Sequence, residues 1–113
     1  VAEDSPGAVL RLQAELCQAL ADPKRLQLIQ ALRGGEKSVG ELAAGLGLKQ
    51  PNTSQHLAVL RRIGVIIPRK EGNAVYYRLA DAKIAEACDL VHAVIAEQLH
   101  RSRRLSKLLQ PPE

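Results

Sequence analysis

Apolar residues recur at helical spacing along most of this chain and give way to β-rich runs only between residues 65 and 79. Leu12, Leu16 and Leu20 repeat every four residues, which predicts a helix over residues 8–21. Asp22-Pro23 opens a second helix, with Asp22 as its cap and Pro23 in its first position. Leu26, Ile29 and Leu32 form the inner side of that helix, and Gly34-Gly35 ends it. Ser38, with Glu41 three residues on, is a capping-box pattern at the head of a short third helix. Its stripe is Leu42 and Leu46, and Gly47 stops it. A turn at Leu48-Lys49 leads through Gln50-Pro51 into a fourth helix that Gly64 ends. Two runs then flank Glu71-Gly72-Asn73, Val65 to Lys70 and Ala74 to Leu79, a hairpin signal in which Pro68 requires an edge position. The last helix, capped by Asp81, carries Ile84, Cys88, Val91 and Ile95 at intervals of four, three and four. That near-heptad seam suits packing against another helix.

Two helices joined by a tight glycine-containing turn make a helix-turn-helix, and the hairpin that follows supplies a wing. The predicted fold is therefore mainly α with a small β-hairpin wing, in the order α-α-α-α-β-β-α. Residues 38–63 form the helix-turn-helix and 65–79 the wing, within a domain spanning 8–109. Residues 1–7 and 110–113 are expected to be mobile ends.

The fourth helix is where chemistry concentrates. A rotation of about 100° per residue puts Leu57, Leu60 and Gly64 on one side and Asn52, Gln55 and Arg62 on the other. Amides bond an adenine edge bidentately, guanidinium groups bond guanine, and hydroxyls bond phosphate. Gln50, Asn52 and Gln55 are thus candidates for base edges. Thr53, Ser54 and His56 are candidates for phosphate or base contacts, with a structural hydrogen bond as the equal alternative for His56. Arg61 or Arg62 would meet phosphate, while Arg69, Lys70 and Asn73 on the wing would reach the flanking backbone or minor groove. On this reading Arg69→Ala weakens binding to every sequence. Tyr76 and Tyr77 alternate across the strand, one packing inward and one outward.

Four segments, in this order, resemble the ArsR/SmtB family of bacterial and archaeal repressors: Leu20-Ala-Asp-Pro-Lys-Arg-Leu-Gln-Leu-Ile, Gly35-Glu-Lys-Ser-Val-Gly-Glu-Leu, Gln50-Pro-Asn-Thr-Ser-Gln-His-Leu-Ala-Val-Leu-Arg and Arg69-Lys-Glu-Gly-Asn-Ala-Val-Tyr-Tyr-Arg-Leu. The resemblance runs from about Leu12 to about Leu99. It implies a homodimeric winged-helix repressor whose first and last helices, residues 8–21 and 81–104, form the dimer interface. It also implies an inverted-repeat operator on double-stranded DNA and an inducer that releases it.

Composition agrees. With no Phe or Trp and two Tyr, the core must be aliphatic. A formal charge of +4 fits a polyanionic partner. A second basic cluster, Arg101, Arg103, Arg104 and Lys107, reads as a solvated helix end. No apolar run reaches transmembrane length and no signal peptide is evident, so a cytoplasmic location without membrane contact is expected. No Cys–His or Ser–His–Asp arrangement suggests an enzyme, and no cofactor is required.

The inducer is the open question. Metal-sensing relatives carry cysteines in the helix before the recognition helix, or an Asp-x-His pattern in the last helix. Here the stretch Ser38 to Leu42 has no cysteine, and Asp89 is followed by Val91 where the histidine belongs. His92 and His100 are out of register, leaving Asp89, His92 and His100 as weak metal candidates. Cys17 and Cys88 lie in the two expected dimer helices. They read either as small apolar fillers or as sensing thiols responsive to oxidants, reactive sulfur or a soft metal such as arsenite. Relatives that sense reactive sulfur place their early cysteine near the position of Gln30, so the parallel is incomplete.

Overall fold

A computed structural model of the chain describes residues 5–109. The order of elements is α1 (Pro6–Ala19), α2 (Pro23–Leu32), β1 (Lys37–Ser38), α3 (Val39–Leu46), α4 (Gln50–Arg62), β2 (Ile66–Glu71), β3 (Ala74–Leu79) and α5 (Lys83–Leu109). The chain divides into two units, one ending at Ala82 and the other, α5, beginning at Lys83. Among the described residues no helix is long and apolar enough to cross a membrane.

Local chemistry sets the boundaries. Ser5 caps α1, its Oγ accepting the Ala8 N–H at 3.1 Å. That cap, with Pro6 beside it, starts the helix two residues earlier than the leucine spacing alone indicates. Asp22 Oδ1 accepts the N–H groups of Lys24 (2.8 Å) and Arg25 (3.2 Å) at the head of α2. The capping box of α3 is complete: Glu41 N–H donates to Ser38 Oγ at 3.1 Å, and Ser38 N–H donates to Glu41 Oε1 at 3.2 Å. Gly47 (φ +65°) and Gly64 (φ +85°) close α3 and α4 in the left-handed region, where a Cβ would be strained. The last helix begins at Lys83, two residues after Asp81. It also runs to Leu109, 27 residues, or about 40 Å at 1.5 Å per residue.

The core of the first unit is aliphatic. Leu28, Ile29 and Leu32 of α2, Leu42 and Ala43 of α3, Leu57 and Leu60 of α4, and Val65 and Ile66 at the foot of the wing are all buried, with α2 packed on α3 and α4, and α4 on β2. Each fully buried leucine or isoleucine contributes about 1.5–3 kcal/mol through area removed from water. One expectation changes here. Leu26 is 41% exposed while Leu28 is fully buried. The inner face of α2 therefore runs 25, 28, 29, 32, the i, i+3, i+4, i+7 phase, instead of 26, 29, 32.

The wing is a three-stranded antiparallel sheet in the order β1-β3-β2. The hairpin register runs from Ile66 opposite Leu79 to Glu71 opposite Ala74, leaving Gly72 and Asn73 as a two-residue turn. Gly72 has φ +60°, the sign that tight hairpin turns demand. Pro68 lies on β2, at the edge of the sheet, as its missing N–H requires. The third strand was not expected: Lys37 and Ser38 pair with Tyr77 and Tyr76. Two residues are too few to show a period, and Ser38 serves both the sheet and the α3 cap. Tyr76 and Tyr77, adjacent on β3 and so on opposite faces of the sheet, are both half-buried.

Candidate nucleic-acid interface

Helix α4 is divided lengthwise. Thr53, Leu57 and Leu60 point into the core at spacings of four and three. Gln50, Asn52, Ser54, Gln55, Arg61 and Arg62 are exposed. Pro51 in the first turn and two arginines in the last suit a helix with a positive N-terminus and a negative C-terminus. The outer face thus offers neutral amides and a hydroxyl toward its start and guanidinium groups at its end. Ala58 is also exposed between them, a small side chain that lets the helix approach a partner closely.

Thr53 is a correction. It is fully buried, and its Oγ1 donates to the Lys49 carbonyl at 3.0 Å. The hydroxyl is spent inside the helix's own first turn, so it cannot reach a groove. Helical phase explains it: residue 53 is four before Leu57 and seven before Leu60.

His56 stands half-buried at the border of the two faces. Its Nδ1 lies 3.3 Å from Arg25 Nη1, and Arg25 Nε donates to the Ala19 carbonyl. Asp22, close by, is partly desolvated, which raises its pKa. The backbone N–H groups of Arg25 and Lys24, with the charge of His56 when it is protonated and that of Arg25, outweigh this and hold it below the usual carboxylate value. Arg25 did not figure among the expected site residues. Its signal was the phase of α2, whose inner stripe begins at residue 25.

The wing changes the expected role of Arg69. Its Nε donates to both carboxylate oxygens of Glu36, at 3.0 and 2.9 Å, and its Nη2 to Glu36 Oε1 at 2.6 Å. Nη1 donates to Glu71 Oε2 at 2.8 Å, and the guanidinium carbon sits 5.0 Å from the centre of the Tyr76 ring. The hydrogen bonds from Arg69, only partly offset by desolvation, hold Glu36 below the ordinary glutamate range, and both glutamates raise the pKa of Arg69. In this structure Arg69 is exposed and engaged by two carboxylates, with which a phosphate would have to compete. Lys70 and Asn73 remain exposed near the tip.

The metal and thiol candidates fare differently. Among the described residues no three His, Cys, Asp or Glu side chains are grouped to hold a metal ion. Asp89, His92 and His100 are all exposed on α5. His100 lies eight residues beyond His92, about 12 Å along a helix, too far to share a coordination sphere. Cys17 is exposed and Cys88 half-buried.

Residues 22–67, from the cap of α2 to the start of the wing, match the family described as "Bacterial regulatory protein, arsR family". The HTH-type transcriptional regulator Rv0081 of Mycobacterium tuberculosis is 41% identical over 90 residues, covering 79% of each chain. The chain belongs to the ArsR family. Another relative is the biofilm growth-associated repressor of Agrobacterium fabrum, 44% identical over 81 residues, 72% of this chain and 69% of that one. Among solved structures, the homodimeric winged helix-turn-helix DNA-binding domain of Mb0332 from Mycobacterium bovis superposes with a TM-score of 0.77 at 34% identity. It covers 87% of this chain and 91% of that one. This ArsR-family chain is thus a transcriptional regulator of the winged helix-turn-helix type.

Proposed function

We propose that this protein is a homodimeric repressor that inserts α4 of each protomer into successive major grooves of an inverted-repeat operator. Gln50, Asn52 and Gln55 read base edges, while Ser54, His56, Arg61, Arg62, Lys70 and Asn73 hold backbone or bases alongside. The observation that carries this reading is the lengthwise division of α4, with buried Thr53, Leu57 and Leu60 behind an exposed face of amides and guanidinium groups. Two-fold symmetry places the half-sites one helical turn, or a multiple, apart. Dimerisation is supported by the homodimeric state named for Mb0332 and by the exposed apolar residues on two helices. These are Val9, Leu10 and Leu12 on α1, and Leu90, Val91, Val94, Ile95 and Leu99 on α5. The name of the Agrobacterium relative supports repression. The protein acts by binding and not by catalysis, on DNA in the cytoplasm.

The inducer acts through thiol chemistry at Cys17 and Cys88, by oxidation or reactive sulfur. Support for this is the exposure of Cys17, which gives an oxidant access, and the place of both cysteines on helices with open apolar faces. A metal at Asp89, His92 and His100 has no such support.

Footprinting on duplexes selected from a random pool, at low and moderate salt, tests the DNA reading. An inverted-repeat footprint whose affinity falls steeply with salt is the expected result. Repeating the titration with reduced and oxidised protein, and with arsenite or zinc, tests the inducer. Oxidation should lower affinity, and the metals should not. A monomer that ignores every duplex at low ionic strength would refute the proposal.

A further inference from the structure

Arg25 begins the inner stripe of α2 and is half-buried. It joins two other elements: Nε donates to the Ala19 carbonyl in the last turn of α1, and Nη1 meets His56 Nδ1 on α4 at 3.3 Å. A guanidinium group has five donors and no acceptor. The imidazole nitrogen facing it must therefore supply a lone pair, which puts the proton of neutral His56 on Nε2. Asp22 keeps the arrangement in place, because its Oδ1 accepts the Arg25 backbone N–H at 3.2 Å.

We infer that Arg25 is a positioning residue of the DNA interface: by occupying Nδ1 it fixes His56 as the Nε2–H tautomer, so that the imidazole offers the duplex a donor and never an acceptor. This rests on the reading of α4 as the recognition helix. Its consequence is chemical selectivity. A lone Nε2–H donor pairs with a phosphate oxygen, a purine N7, guanine O6 or thymine O4, and is refused by the amino groups of adenine and cytosine. Without Arg25 the imidazole exchanges both tautomers and can present either character.

Long-range proton–nitrogen NMR on the full chain without DNA reads the tautomer directly. Wild type should show a single Nε2–H form at His56, and Arg25→Met should show a mixture. Two histidine substitutions separate the two ring nitrogens. His56→Asn keeps an acceptor near Arg25 without the outward donor, and should melt near wild type yet bind the selected duplex about tenfold more weakly. His56→Gln, which keeps the distal donor, should lose less affinity. Arg25→Met should lose less than His56→Asn, only by the factor its Nε2–H fraction falls, about twofold for an even mixture, although Arg25 itself touches no DNA. An equal loss on random duplex identifies a phosphate acceptor, and a loss confined to the selected duplex identifies a base. Should Arg25→Met fail to fold, the wild-type tautomer and the His56→Asn affinity still decide the matter. An Nδ1–H form in wild type, or wild-type affinity in His56→Asn, overturns the inference. Failure of wild type to bind any duplex would instead overturn the DNA reading and leave the tautomer result standing.

Discussion

The dimer is the proposal most open to a quantitative test, through Val91 and Ile95 on the outer seam of α5. Val91 is 61% and Ile95 50% exposed in the single chain. Complete burial of such a side chain is worth about 1.5–3 kcal/mol, so the open half of Ile95 represents about 1 kcal/mol per protomer. Two-fold symmetry counts every contact twice. Ile95→Ala should therefore weaken the dimer by about 2 kcal/mol, close to thirtyfold in dissociation constant. Adding Val91→Ala should extend the loss to at least a hundredfold. Ile95→Glu would bury a carboxylate opposite its own copy and should leave monomers at micromolar concentration. Sedimentation equilibrium over a range of loading concentrations gives the constants. Footprinting at the same concentrations should show operator affinity falling in parallel, because a monomer engages one half-site and loses the linkage to the second. Seam variants that stay dimeric to within about threefold of wild type would refute the argument. The partner surface would then have to lie elsewhere.

The remaining predictions concern the core, the wing, the recognition face and the thiols. Leu57→Ala, at a position with no exposed surface, should lower unfolding free energy by about 3–4 kcal/mol at any protein concentration, read by denaturant titration; a loss under 1 kcal/mol would show that α4 does not close the core. Glu36→Gln removes the main partner of Arg69 and should tighten binding to random duplex and steepen the salt slope by up to about one unit, whereas Arg69→Ala should flatten it less than Lys70→Ala does. Since Arg69 depresses the pKa of Glu36 in the folded protein, the pair's contribution is complete above the unfolded value, about 4.3, and is lost as pH falls through the folded one; acid melting curves of wild type and Glu36→Gln should converge there. Gln55→Ala should relax sequence preference while leaving random-duplex affinity near wild type, and equal losses on both would remove Gln55 as a base reader. Cys17→Ser and Cys88→Ser should each abolish the oxidative loss of operator affinity; if both variants still respond, the thiols are fillers.

Elements governed by near neighbours in sequence were legible, and partners far apart were not. The caps at Asp22 and Ser38 and the stops at Gly47 and Gly64 depend on residues within four positions of one another, and each forms as expected. The hairpin turn at Gly72-Asn73 is local in the same sense. Arg69 and Glu36 are 33 residues apart, and Arg25 and His56 are 31 apart. No periodicity connects such pairs; only the closed sheet and the packed α2–α4 crossing bring them together. The misplaced phase of α2 has a more specific cause. Leu26 is apolar and Arg25 charged, so choosing stripe members by apolarity selects residue 26, although the helix turns residue 25 inward. The same preference for side-chain type over phase made Thr53 look like a groove hydroxyl.

These corrections bear on how affinity and selectivity are divided. Charge on a wing draws any duplex by counterion release and carries no sequence information. Glu36 and Glu71 neutralise Arg69 in the free protein, so that part of the wing contributes little attraction unless phosphate displaces the carboxylates. The exposed amides of α4 are uncharged and gain only where base edges match them. A wing held partly neutral therefore lowers binding to random DNA and to the operator by about the same factor, and the ratio that a regulator needs among many competing sites would rest on the amides of α4. Releasing Arg69 should accordingly raise affinity for both duplexes together and leave their ratio near wild type. That rise would not follow if Arg69 were simply another phosphate contact already in use.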